Sequence, residues 1–456
     1  MIQTIRNAWA VPELRKKMLF TVFALLIFRL GSAIPVPYID SDLLALQLKS
    51  QSGTILGLMN AMSGSAFSLA TVFALSIQPY INSSIIIQLL TVAIPYLERL
   101  AKEGGEEGRK KIASITRYTT VAIALIQGFG YYTLIRSYGL INGGSLSGIW
   151  VGTVIVLSFT AGSAFLMWLG EQITEFGIGN GISIILFAGI VSRFPQMVRD
   201  CVTGVSIWSG VKDGTVTVES LQAAGYSAAQ AEAQINMALA PWLIPLIVIG
   251  ALAMVVFIVF ISNAERRIPV QYAKRVVGRK MYGGQSTHIP MKVNMSGVMP
   301  IIFAQSIATL PATVGAFMGW TTENSAMMRL FDTSKPFYAV MYFFLIVGFS
   351  YFYASMTFNP IEVSNNLKKN GGFIPGFRPG KPTADFITKV LNKITMFGAL
   401  YLSVIAIAPI ITGNIVGYNS LAIGGTSVII VVGVALETVK QMEAQMLMRH
   451  YKGFLE

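Results

Sequence analysis

Cysteine and histidine are almost missing from this sequence. Its 456 residues include one cysteine, Cys201, and two histidines, His288 and His450. A lone thiol forms no intrachain disulfide, and no CxxC metal or redox motif can be built from it. Each histidine sits in basic sequence with no second ligand at metal spacing, so both read as structural or incidental. Charge is scarce too. Charged residues make up 12% of the chain against 54% hydrophobic ones, about half the charged share of a soluble domain. The stretch 50–97 holds no Asp, Glu, Lys or Arg. A soluble fold of this length could not cover its surface with so few charges. The chain reads as a polytopic membrane protein.

Acids are also missing from the middle of the apolar runs. All 21 fall in loops, tails or span ends, with Glu171, Glu175 and Glu437 the nearest approaches. Ion-coupled carriers and pumps hold carboxylates or histidines within the membrane, so the sequence argues against a proton- or sodium-coupled carrier. A passive conduit or a non-transporting scaffold fits better. Arg29 and Arg117 lie inside apolar runs, close enough to an end to snorkel. Energy-converting motifs are lacking as well. Gly376-Phe377-Arg378-Pro379-Gly380-Lys381 has three residues between its glycines where a phosphate loop has four, and Pro382 follows. Gly177-Ile178-Gly179-Asn180-Gly181 follows no strand and reads as a tight turn between spans. A motor driving transport through this protein would be a separate polypeptide.

What is abundant is hydrophobic length. A membrane helix needs about 20 mostly apolar residues, and ten segments meet or approach that: 18–34, 74–95, 112–137, 149–170, 178–194, 241–262, 295–318, 337–358, 387–411 and 421–439. Alternating these spans puts 26 Lys/Arg and 13 acids on the side of the N-terminal tail, and eight of each on the other. The whole net charge of +13 therefore lies on one side, which marks it as cytoplasmic. Both termini are expected there. The first span precedes a small-residue pattern, Gly31-Ser32-Ala33, like a signal peptide, but Arg29 interrupts its end and no secreted domain follows, so it is read as retained. The expected organisation is a tail (1–17), a half with spans one to five (18–195), a polar external segment (196–240), a half with spans six to ten (241–439) and a cytoplasmic tail (440–456). Two five-span halves would suit an inverted repeat, although no residue-level match between them is visible.

Two cytoplasmic loops, 263–294 and 359–393, are long and basic. The first carries Arg266, Arg267, Lys274 and Arg275, and the second carries Lys368, Lys369, Arg378 and Lys381 around Gly/Pro-rich turns. Positive-inside anchoring and attraction to anionic lipids account for part of this. Charges beyond the membrane-flanking residues, interspersed with Tyr272, Tyr282, Phe373 and Phe377, suit docking of a large anionic partner.

Several segments carry a family resemblance. Ser76-Ile77-Gln78-Pro79-Tyr80-Ile81-Asn82-Ser83-Ser84, Trp168-Leu169-Gly170-Glu171-Gln172-Ile173-Thr174-Glu175, Gln285-Ser286-Thr287-His288-Ile289-Pro290, Asn366-Leu367-Lys368-Lys369 and Gly376-Phe377-Arg378-Pro379-Gly380 resemble the SecY family of bacterial protein-conducting channels. The resemblance runs from Arg15 to about Met442, and is least evident over 196–240. It implies an all-α polytopic fold of ten transmembrane helices in two pseudo-symmetric five-helix halves, closing like a clamshell around an hourglass pore, with a sideways opening between spans two and seven. It implies no enzymatic activity and no cofactor. The matching pore-ring positions are Ile77, Ile81, Leu186, Ile302 and Ile430, with Leu186 where the family usually has isoleucine. A plug would lie within about 56–69, with Leu56, Met59, Met62 and Phe67 its apolar residues. Ser63-Gly64-Ser65 makes that segment a poor autonomous helix. Arg378 is implied in docking the SecA ATPase, with Arg266, Arg267, Lys274 and Arg275 contributing to SecA and ribosome binding. Small membrane subunits of the SecE and SecG type and preprotein signal sequences are the other implied partners, and the bacterial cytoplasmic membrane the implied location. A solute carrier is the alternative, and it would need an intramembrane polar binding site.

The charge asymmetry makes a direct prediction. With Cys201 replaced, Lys274→Cys and Lys381→Cys should label only from the cytoplasm and Asp213→Cys only from outside. Labelling of position 381 from outside would rule out the ten-span arrangement.

Overall fold

The structure, a computed structural model, describes residues 2–49, 55–142, 148–213, 215–223, 235, 240–272, 275–277, 280–282, 286–295, 297–318, 320, 325–332, 335–416 and 419–452. In chain order the first helices are α1 (Ile2–Ala10), α2 (Pro12–Gly31), α3 (Ser41–Lys49), α4 (Ile55–Met62), α5 (Gln78–Ala93) and α6 (Pro95–Lys102). Next come α7 (Gly105–Ser137), α8 (Gly148–Phe176), α9 (Gly181–Ser192), α10 (Phe194–Lys212), α11 (Val218–Ala223) and α12 (Leu243–Asn263). Strands β1 (Glu265–Tyr272), β2 (Arg275–Val277), β3 (Lys280–Tyr282) and β4 (Ser286–Lys292) precede α13 (Met299–Phe317), α14 (Ala326–Leu330), α15 (Pro336–Thr357) and α16 (Pro360–Lys369). The chain closes with β5 (Gly372–Phe373), α17 (Lys381–Val416) and α18 (Asn419–Lys452).

Each of the ten expected spans falls on a helix. Among the described residues, six helices are long and apolar enough to cross a membrane; a seventh is gained if α5 and α6, bent by 105°, count as one. The bend has a local cause. Pro95 opens α6 at Ile94, and a proline has no N–H to continue the ladder of α5. Met299–Gly315 is apolar but shorter, and α2 spends its first turns on Glu13, Arg15, Lys16 and Lys17.

Three stretches depart from the sequence expectation. The second span begins helically at Gln78 rather than near residue 74, because 63–77 runs through turns with Ser65, Ala70 and Ser76 at φ of 72°, 44° and 52°. The polar segment after the fifth span carries α10, which continues from α9 past Arg193 and Pro195 and exposes Phe194, Met197, Val198 and Val202. The basic loops hold β-structure. β1 pairs antiparallel with β4 on one side and with β5 on the other, so one sheet of order β4-β1-β5 joins both loops. Ile268 and Val270 point inward from β1 onto Leu367, Ile374, Ile387 and Leu391, forming a small core of their own.

The main core gathers Phe28 of α2, Ile85 of α5, Leu166 and Ile173 of α8, Ile185 of α9, Ile301 of α13, Ile346 of α15, Ile405 of α17 and Val434 of α18. Glycine permits the closest crossing. Gly181, at the start of α9, lies so near α8 that a Cβ there would overlap the Gly170 carbonyl oxygen. Backbone cannot retreat as a flexible side chain can, so Gly181→Ala should cost about 3 kcal/mol as an overpacking change. The measurement is the thermal unfolding midpoint in detergent; an unchanged midpoint would show that the crossing opens freely.

Candidate functional site

The five aliphatic residues expected to face one another arrive from four helices and one turn. Ile77 immediately precedes α5, Ile81 lies in its first turn, and Leu186, Ile302 and Ile430 sit within α9, α13 and α18. The Ile81 amide donates to the Ile77 carbonyl at 3.1 Å, which keeps the two side chains stacked although Ile77 is just outside the helix. All five are buried, at 1–2% exposure, and belong to the same apolar cluster. Gly170 of α8 lies directly behind Ile77: a Cβ there would stand 3.3 Å from Ile77 Cδ1.

The expected plug residues occupy a second apolar cluster. Leu56 and Met59 of α4, with Phe67 beyond it, pack among Leu44, Leu75, Ile135 and Phe159. The Phe67 ring stacks on Tyr131 at 4.3 Å between centroids, and the Tyr131 hydroxyl donates to the Phe67 carbonyl. Polar groups within the segment are satisfied locally. The Phe67 amide donates to Ser63 Oγ and the Ser68 amide to Asn60 Oδ1, both at 3.0 Å. At Gly64 (φ 67°) a Cβ would meet Ser192 Oγ at 2.7 Å, so the segment rests against the end of α9. Arg29 Nη1 donates to the Gly64 carbonyl at 3.5 Å. α4 also touches α13 and α18. Met62 ends α4, and its side chain lies outside the described residues. Tyr131 and Asn60 were not among the sequence candidates, and Arg29 was read as a side chain that snorkels. A tyrosine in an apolar run carries no signal of the carbonyl it will serve.

The described basic candidate residues lie on β1, on β2 and in the turn before α17. Arg266 and Arg267 are exposed on β1, and Arg267 Nε approaches Glu265 Oε1 at 2.7 Å. Arg275 opens β2 opposite Tyr282, while Lys274 lies outside the described residues. Arg378 is exposed between two left-handed glycines, Gly376 (φ 87°) and Gly380 (φ 103°). Its backbone is held on both sides. Thr383 Oγ1 donates to the Arg378 carbonyl at 2.8 Å, and Ser364 Oγ to the Gly380 carbonyl at 2.7 Å. Phe377 packs on Phe386 at 4.2 Å between centroids. Nearby, Lys440 Nζ donates to the Ser262 carbonyl at 3.1 Å. Burial and the Lys292 ammonium hold Lys440 below the usual lysine range, against the opposing pull of Glu443 and Glu265. Among the described residues, no cluster of three or more His, Cys, Asp or Glu side chains could hold a metal.

A mostly helical membrane body with a buried aliphatic cluster where several helices meet, and a basic β-layer beyond it, has the fold of protein-conducting channels. The structure is similar to a solved protein-conducting channel at a TM-score of 0.61, with 17% identity, 95% of this chain and 92% of the other covered. It is similar to Sec61 in the canine ribosome-channel complex at 0.58, with 16% identity and coverage of 95% and 92%. The sequence is closer to bacterial relatives. It is 44% identical over 468 residues to the protein translocase subunit SecY of Streptomyces scabiei, and 42% identical over 463 residues to that of Bacillus subtilis (strain 168), each covering 100% of both chains. Residues 71–439 match the SecY family model. The chain belongs to the SecY family.

Proposed function

We propose that this chain is the pore-forming subunit of a channel that passes unfolded preproteins across the bacterial cytoplasmic membrane and releases hydrophobic segments sideways into the bilayer. One observation supports the reading: Ile77, Ile81, Leu186, Ile302 and Ile430, drawn from distant parts of the sequence, are all buried and all belong to the one apolar cluster that forms the main core. An aliphatic constriction denies ions their hydration and stays dry, yet has no polar bonds to break when a polypeptide pushes through. α5 and α13 lie in contact, so parting them would open the cluster towards lipid. A segment rich in Leu, Ile, Phe and Val would leave by partition, gaining roughly 0.3 to 0.6 kcal/mol per residue near the helix centre. The protein is a channel rather than an enzyme.

In this reading ten helices cross the membrane in two five-helix halves, split near residue 240, with both termini cytoplasmic; the one-sided net charge of +13 supports it. Leu56, Met59, Met62 and Phe67 belong to a plug seated beside the ring. The driving force comes from the SecA ATPase or the ribosome, docking on Arg266, Arg267, Lys274, Arg275 and Arg378. Two ribosome-bound relatives of similar fold, canine Sec61 and the yeast Ssh1 complex, make the ribosome a natural partner. SecE- and SecG-type subunits, signal sequences and anionic lipids complete the expected partners.

Arg378 offers a forked donor suited to a carboxylate, on a turn braced by Ser364 and Thr383. Arg378→Glu should abolish SecA-driven secretion in proteoliposomes while the protein still assembles, because the exposed side chain contributes little to the core. Secretion at the wild-type rate would remove Arg378 from the docking surface.

The seal is tested by conductance. Replacing several ring residues together by Ser or Gly should wet the constriction and pass ions, and a single replacement should do less. Deleting 56–69 as well should leak more than ring replacement alone. Equally negligible single-channel conductance from all these variants in planar bilayers without substrate would put the seal elsewhere.

A further inference from the structure

Arg117 and Glu171 lie near the ends of apolar runs, where long charged side chains ordinarily reach for water. They do not point apart. Arg117 Nε, on α7, donates to Glu171 Oε1 of α8 at 3.0 Å, while Nη2 approaches Oε2 at 2.9 Å, a two-point fork. The Glu171 side chain is 23% exposed and Arg117 51%, and the Tyr80 phenol of α5 lies within electrostatic range of both.

Of the residues beside this pair, one is bonded to α5 and the other lies against the constriction residue Ile77. Thr116, before Arg117, accepts at its carbonyl a 2.7 Å hydrogen bond from the fully buried Ser83 Oγ of α5. Gly170, before Glu171, is the surface behind Ile77. The contacts form a closed circuit: α5 through Ser83 to α7, α7 through the fork to α8, and α8 through Gly170 back to α5. A bidentate pair restricts rotation as well as distance, so the fork fixes the depth at which Gly170 supports Ile77.

We infer that Arg117 and Glu171 are positioning residues for the constriction, setting the seat of Ile77 without lining the pore themselves; this rests on the reading of the aliphatic cluster as the seal. Removing one partner abolishes the two-point fork and frees α8 to shift relative to α7. The seat of Ile77 then loosens, and the channel opens more readily at rest.

The test is a charge-swap cycle on the complete channel complex in planar bilayers without substrate. Arg117→Glu and Glu171→Arg should each raise the resting open probability about tenfold, the size of coupling expected for contacting residues. The double swap should return it to within about threefold of wild type. Arg117→Lys, which keeps charge but loses the fork, should fall between. Where a reversal fails to accumulate, Arg117→Gln and Glu171→Gln take its place. A double swap as leaky as the single changes, or single changes that seal like wild type, would overturn the positioning role. Joint replacement of Ile77 and Ile81 by Ser is measured beside them. If that variant leaks while the fork variants seal, only the positioning role falls. If it seals, the reading of the ring falls, and the inference with it.

Discussion

Backbone amides and carbonyls inside hydrocarbon must be hydrogen-bonded within the protein, since no water is present to receive them. Much of the architecture follows from this. The long apolar runs are helices, which satisfy their own backbones, while the five described strands lie in the basic loops. The irregular stretch 63–77 is the instructive exception. It stands among packed helices and has backbone groups served from outside the helices: the Val36 amide donates to the Ala70 carbonyl and the Val72 amide to the Ile34 carbonyl, both at 3.0 Å. Ser63, Asn60 and Tyr131 serve others. Non-helical backbone in a membrane protein is tolerated where protein encloses it, and here it separates the short helix α4 from α5.

Charge follows the same constraint. The basic side chains collect on a β-layer and turn outside the apolar body, where water and anionic partners can reach them. Joining the loops at Gln271↔Phe373 and Tyr272↔Gly372 makes them one surface with its own core. A partner pressing on Arg378 would therefore push on a braced unit that continues into α12 through β1 and into α17 through the turn.

The long apolar runs were legible because hydrocarbon imposes them on membrane helices, and each of the ten falls on a helix. The five expected ring residues rest on matched segments rather than chemistry: nothing about Ile430 separates it in composition from its neighbours Ile429 and Val431. The start of α5 was not legible. Apolar residues 74–77 look like helix, and only the left-handed Ser76 breaks it. The three-stranded sheet was missed because its outer strand, β5, is two residues long and pairs across a gap of about a hundred positions, a distance at which local pattern carries no information. Tyr131 and the Arg117–Glu171 fork were missed because a side-chain partner on another helix leaves no mark in local sequence.

A seal of dispersion contacts and a frame of directed bonds answer different demands. Each carbon–carbon contact in the aliphatic cluster is worth only about 0.1 to 0.2 kcal/mol, and a translocating chain offers new contacts as it displaces old ones. Opening at that level is an exchange rather than a loss, indifferent to which side chains pass. The hydrogen bond from the buried Ser83 to the Thr116 carbonyl cannot be exchanged so cheaply, because a buried polar group deprived of its partner finds no substitute in lipid, while the part-exposed Arg117–Glu171 fork adds direction rather than burial. They lie one layer behind the isoleucines. In the proposed channel the constriction would thus yield while its supports hold register, and when the substrate leaves, the same side chains would close again over Gly170.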